Sequence, residues 1–255
     1  MLKYNPHFVE LLISMTEKEL RTRYKYTVFG FLWLVANPII QMIVIGYIFR
    51  FFMKAPIDNY YHYLFISLLV WNFFSLSLSR VTPSIVSERS LIKKAQFSHF
   101  IIPLSIILSN FIHFAVAILL FSIPVYFLGT ATVYTVPIMI IAISLLTVFT
   151  IGLGLLLSAC NVRYRDVNFL TQAVLILWFY ATPIIYTLNQ MPMDKRWLWN
   201  FNPLAGILQL MQVALFGHNT IDPSLLTMNV LLIFILFIIG IRVFFIESKT
   251  FDDWI

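Results

Sequence analysis

The chain has 255 residues, of which 60% are hydrophobic and only 11% charged, with a formal net charge of +6. A soluble domain carries about 25% charged residues, so this composition excludes an ordinary water-soluble enzyme or nucleic-acid-binding domain. The one cysteine, Cys160, excludes a disulfide within the chain and reads as a small apolar filler near a span end.

The charges are absent from long stretches. No Asp, Glu, Lys or Arg occurs in 26–49, 59–79, 95–162, 167–193 or 223–241. A bilayer core is about 30 Å thick, and a helix needs about 20 apolar residues to cross it. A charge at a span centre costs about 2.5–3.5 kcal/mol on insertion scales, which accounts for the clearing. The gaps hold one, one, two, one and one crossings. They predict an all-α integral membrane protein, a single transmembrane domain over 1–255 with six spans.

In chain order, the opening segment 1–27 is interrupted by Glu10, Glu17, Lys18 and Glu19, so it does not read as a secretory signal. Asn5 and Pro6 start a helix in which Phe8, Leu11, Leu12 and Met15 recur at helical spacing, with Glu10, Ser14, Glu17 and Arg21 opposite. This predicts an N-terminal amphipathic helix at the inner membrane interface, ending in Arg21, Arg23 and Lys25. The first span is expected at 28–49, with a kink at Asn37-Pro38, and the second at 60–79. A cytoplasmic loop, 80–103, carries a short helix at 84–94 with Arg89, Lys93 and Lys94. The third and fourth spans are expected at 104–128 and 137–159, joined by a turn at Gly129 and Thr130. The charged inner loop NVRYRD separates these from a fifth span at 169–188, broken at Thr182-Pro183.

The segment 189–222 reads as a re-entrant or interfacial hairpin on the outer side. Asn202 and Pro203 start an apolar helix, and Gly217 caps it after too few residues to cross. A last span follows at 224–241. With both termini on the cytoplasmic side, only Arg50, Lys54, Lys195 and Arg196 of the 17 basic residues fall outside. That asymmetry orients the chain and explains its basic balance without a nucleic-acid partner.

The chain has no GxxxxGK[ST] phosphate loop and no Cys/His metal-ligand spacing, so no catalytic residue and no metal site is expected. The spans offer one titratable candidate, His113, and a lone histidine is read as bonding a neighbouring helix. Without buried carboxylates, proton or sodium coupling is not expected, and energy would come from a partner. What remains is aromatic: Phe 25, Tyr 12 and Trp 6. Within the spans stand Trp33, Tyr47, Trp71, Phe73, Phe74, Trp178, Phe179, Tyr180 and Tyr186. Sugar rings stack on aromatic faces, so these residues are candidates to line a carbohydrate path. For any one of them, contact with lipid or a neighbouring helix is the commoner role.

Three segments carry a resemblance: ELRTRYKYTVFGFLWLVANPI at 19–39, NVRYRDVNFLTQAVLILWFYATPIIY at 161–186, and NPLAGILQLMQVALFG at 202–217. With their order and spacing, the chain resembles the permease subunit of ATP-binding-cassette exporters of O-antigen, capsule and teichoic acid. The resemblance implies a homodimer in a bacterial inner (plasma) membrane, working with two cytoplasmic ATPase subunits that hold ATP and Mg. No cofactor is expected on this chain itself. The N-terminal helix and the loop 80–103, with Ser84, Glu88, Arg89, Lys93 and Lys94, would contact those ATPases. The first and fifth spans would line the path, and the hairpin 189–222 would form the outer gate. The implied cargo is a glycan on a polyprenyl diphosphate, with Arg21, Arg23, Lys25, Arg163 and Arg165 as candidates for its diphosphate. Gln212 stands where the resemblance leads one to expect a basic residue, so a charge-based role for that segment is not implied. Two other readings stay open: a membrane enzyme acting on lipid-linked sugars through His113 and Asn110, and an exporter of lipids or drugs.

Overall fold

The computed structural model describes residues 6–25, 33–52, 59–94, 97–127, 135–187, 190, 193–217 and 222–254. The expected start of the first span, most of the loop after it, the turn at Gly129 and Thr130, and parts of the hairpin 189–222 lie outside the described residues. Every regular element among the described residues is helical. These are α1 (Pro6–Tyr24), α2 (Trp33–Phe52), α3 (Tyr60–Val81), α4 (Ser84–Ser87), α5 (Arg89–Lys94), α6 (Ile101–Phe127), α7 (Val136–Arg163), α8 (Asp166–Ala181), α9 (Pro203–Phe216), α10 (Pro223–Glu247) and α11 (Phe251–Trp254), with a 3-10 helix at Met193–Phe201 before α9.

Four helices among the described residues are long and apolar enough to cross a membrane: Tyr60–Val81, Ile101–Ile123, Val136–Arg163 and Pro223–Glu247. The chain is therefore a multi-pass membrane protein. Two of the six expected spans are shorter apolar helices. Val35–Phe49 is the apolar part of α2, and Asp166–Ala181 ends early because Thr182 is extended (φ −98°, ψ 140°). A residue before proline is pushed out of the helical region, so Pro183 sets that end. The short helix expected at 84–94 is two helices, parted at Glu88.

Two apolar clusters hold the bundle. The larger joins α3, α6, α7 and α9, and in it Phe74 stacks on Phe149 at 5.1 Å with Trp178 edge-on at 5.3 Å. The second sits at the end that carries α4 and α5, joining Met15, Ile85, Ile92, Ile101, Val162, Phe244 and Phe251. The apolar stripe of α1 packs against this second cluster: Phe8, Leu11 and Leu12 lie against it, and α1 runs along α6. Buried hydroxyls are accommodated within their own helices. Ser67, Thr82, Ser122 and Thr150 each donate to the carbonyl four residues back.

α7 and α10 approach at backbone distance. A Cβ on Gly240 would collide with the Gly152 carbonyl, and one on Gly152 with the Phe237 backbone. Glycine at both positions lets the two helices meet without side chains between them.

Candidate functional site

A cavity of about 770 Å³ opens between α2, α3, α6 and α8. Its wall combines aromatic rings with amides. Trp33, Trp71, Phe73, Phe179 and Tyr180 provide the first, and Asn37, Asn72, Asn110 and Gln172 the second, with Ser75 and Ser79 beside them. Arg23 from α1 is the one charged side chain in that lining. Helical spacing builds this mixture: Asn72, Ser75, Leu76 and Ser79 recur three or four apart and share a face of α3. The Asn72 amide is oriented by donating to Gln41 Oε1 of α2 at 3.0 Å.

The expected path residues divide. Trp33, Phe73, Phe179 and Tyr180 line the cavity, as does Trp71, whose ring meets Phe179 edge-on at 5.4 Å. Tyr47, Phe74, Trp178 and Tyr186 are not among its lining residues. Tyr47 is 64% exposed on α2, whereas Phe74 is fully buried in the larger cluster. Trp178 packs on Phe74 and donates its indole N–H to Asn202 Oδ1 at 3.0 Å. Tyr186 donates its hydroxyl to the Tyr180 carbonyl at 3.0 Å and meets Trp199 edge-on.

The five expected phosphate-binding cations divide as well. Arg21 pairs with Glu17 one turn earlier on the exposed face of α1. Arg23 reaches α6, where Nη1 meets His113 Nδ1 and Nη2 donates to Asn110 Oδ1, each at 2.5 Å. Lys25 follows the last turn of α1 and is exposed. Arg163 and Arg165 lie elsewhere, at the turn from α7 to α8. Arg163 pairs with Glu247 at 3.3 Å and sits 5.4 Å over the Trp254 ring, while Arg165 donates to the Trp254 carbonyl at 3.4 Å. The five therefore form two groups, and Arg23 alone among them lines the cavity.

The sequence model of the ABC-2 type transporter family matches residues 10–216. That match spans all four walls of the cavity. The chain belongs to the ABC-2 type transporter family. Among its curated relatives are two proteins of Klebsiella pneumoniae named O-antigen export system permease protein RfbA. They are 31% and 30% identical over 246 residues, covering 95% of this chain and 94% of each relative. A Myxococcus xanthus protein of the same name is 29% identical over 216 residues, covering 84% of this chain and 83% of its own length.

In this ABC-2 chain the segment around α4 and α5 is tied to α1. Lys18 pairs with Glu88 at 2.8 Å, between the two short helices, and Arg80 with Glu19 at 2.7 Å. Ser84 is buried and donates to the Val81 carbonyl, whereas Arg89, Lys93 and Lys94 are exposed. At the opposite end, Asn202 caps α9 by accepting from Leu204 N–H, and donates to Thr182 Oγ1 at 3.0 Å.

Of the cavity's amides the sequence singles out Asn110 alone, beside His113; Asn37 reads only as the residue before a kink, and Asn72 and Gln172 only as parts of spans. The signal was available: a primary amide inside a charge-free span needs a partner or a wet face to offset its desolvation.

Proposed function

We propose that this chain is the permease subunit of an ATP-driven exporter, carrying a lipid-linked polysaccharide out of the cytoplasm. The observation that carries this reading is the similarity, over 95% of the chain, to permeases named for O-antigen export. In this reading two copies of the chain work with two ATPase subunits in a bacterial inner membrane, each copy crossing it six times with cytoplasmic termini. α2, α3 and α8 supply the aromatic wall of the path. Arg89, Lys93 and Lys94, exposed beside the Lys18–Glu88 pair, are where ATPase motion enters.

The cavity favours carbohydrate over an apolar drug. Rings take the C–H faces of a sugar, and amides such as Asn37, Asn72 and Gln172 exchange hydrogen bonds with its hydroxyls. A path with one cation and no carboxylate in its lining holds a polar polymer weakly enough for it to slide.

Reconstitution of the chain with its ATPase in vesicles tests this. ATP-dependent appearance of covalently unchanged glycan on the far side is expected, with Tyr180→Ala lowering the rate while the protein stays folded. Glycan movement by the chain alone, without an ATPase, would overturn it. A changed covalent structure of the glycan would point to a membrane transferase.

A further inference from the structure

α8 forms one wall of the cavity, and its firmest attachments are at its two ends. At the C-terminal end the buried Tyr63 of α3 shares its O–H between the Pro183 and Tyr186 carbonyls, at 2.8 and 2.6 Å. Asn202 Nδ2 adds a bond to the Ala181 carbonyl at 3.3 Å. Along the helix itself only Thr171 and Leu175 are buried, which is little to fix 16 residues, about 24 Å of helix. The N-terminal end therefore depends on the turn from α7. There Asn161 Oδ1 accepts from Asn168 N–H at 3.2 Å, while Arg165, the N-cap residue, makes no side-chain cap.

That turn is gripped from outside by α11. Beyond α10 the chain folds back at Thr250, whose N–H and hydroxyl both donate to the Glu247 carbonyl at 3.0 Å. Phe251 is thereby buried, edge-on to Phe244 at 5.5 Å and 5.8 Å from the His99 ring. It belongs to the cluster that contains Ile85 of α4 and Ile92 of α5. Trp254, three residues on, meets the α7–α8 turn instead. The Arg163 guanidinium lies 5.4 Å over its ring, and Arg165 donates to its carbonyl at 3.4 Å. A planar guanidinium suits an indole face, and the pair with Glu247 keeps Arg163 in place. One short helix thus reaches the α4–α5 cluster with one residue and both arginines of the α7–α8 turn with another.

We propose that α11 is a strap joining the α4–α5 segment to the N-terminal end of α8, so that a shift of that segment moves the cavity wall. Trp254 is then a positioning residue: it does not line the cavity, and it acts on α8 through Arg163 and Arg165. Coupling between distant sites needs a connected element that both ends can bias, and the run from Ile92 through Phe251 and Trp254 to Arg165 is one. The place of α8 is set by these contacts alone. Transmission of motion rests on the reading of the preceding section, in which ATPase motion enters at α5.

Spin labelling of the full chain in nanodiscs tests this, with Cys160→Ala to leave one reactive thiol at a time. One nitroxide goes on Phe169→Cys, in the first turn of α8 and 72% exposed, and a control on Leu231→Cys, 53% exposed on α10. Trp254→Ala is expected to shorten the rotational correlation time at position 169 about twofold and to leave position 231 unchanged. Trp254→Phe keeps a ring under Arg163 and is expected to restore most of the order. With the ATPase present, Trp254→Ala is expected to export about threefold less glycan per ATP hydrolysed. Unchanged mobility at position 169, or equal loosening at both positions, overturns the strap. Loosening at position 169 with glycan per ATP unchanged overturns its part in coupling. If Trp254→Ala does not fold, Arg165→Ala decides: no loosening at position 169 sinks the proposal. Wild-type chain that exports no glycan with its ATPase, while Trp254→Ala still loosens position 169, would sink the transport reading and leave the strap standing.

Discussion

α8 and α9 are apolar helices of similar length, 16 and 14 residues, yet the molecule treats them oppositely. Eleven residues of α9 are buried, against α7, α10 and α3, whereas α8 buries only Thr171 and Leu175. α9 is also fastened by side-chain amides. Asn202 caps it and reaches Trp178 and Thr182, and Asn229 accepts from Gly206 N–H while donating to the Trp199 and Asn200 carbonyls. α8 turns one flank, with Ile176, to the cavity and leaves Leu177, at 70% exposure, uncovered. Composition did not distinguish the two. The apolar helix of the expected outer hairpin is buried among its neighbours, and the helix of the expected fifth span is the loosely held wall of the cavity.

Breaking the fastened side should cost stability, and the largest effect belongs to the helix pair on which α9 rests. Gly240→Ala would drive a methyl into the Gly152 carbonyl and separate α7 from α10, costing about 3 kcal/mol or more in a denaturant titration in detergent. Asn229→Leu strips three backbone groups, two of them buried, of their partner and should cost about 2–4 kcal/mol by the same measurement. Trp178→Phe keeps the ring against Phe74 but removes the bond to Asn202, for a loss of about 1 kcal/mol.

Asp222 caps α10 through Ser224 and Leu225 N–H, and Asp222→Ala should also cost about 1 kcal/mol. The Ser224 hydroxyl, followed by those backbone bonds, holds its carboxyl below the usual carboxylate range. The ionised form is the one that caps. Its contribution is therefore complete above the ordinary carboxylate pKa and disappears as pH falls through the lowered folded value. A pH titration of thermal stability should show this step in the wild type and not in Asp222→Ala. On the loosely held side, Leu177→Ala should change stability by less than about 0.5 kcal/mol. A loss as large as that of Asn229→Leu would erase the contrast between the two helices.

Local features were legible where one or two residues decide them. Asn202-Pro203 and Gly217 mark the ends of α9, and the structure has the cap at Asn202 and a left-handed Gly217 with φ 66°. The break at Thr182-Pro183 stands where expected, and α8 ends at it. The apolar stripe of α1 was legible too, but not the protein surface it packs on, because lipid and a protein groove ask the same of a helix face. Among the aromatics, Phe73 and Phe74 are neighbours in sequence, yet one lines the cavity and the other stacks on Phe149. Nothing in their composition separates them; their directions from α3 do.

Charge distribution by itself determined that the chain lives in a membrane, because excluding ions from hydrocarbon is a cost each segment meets alone. The three local segments 19–39, 161–186 and 202–217 carried the family resemblance. Only tertiary packing decided which rings and amides share a cavity, that α9 is core, and that Arg23 meets His113 across 90 residues of chain. Those outcomes depend on which helix faces meet, and helices of nearly uniform apolarity carry little record of that in their order of residues.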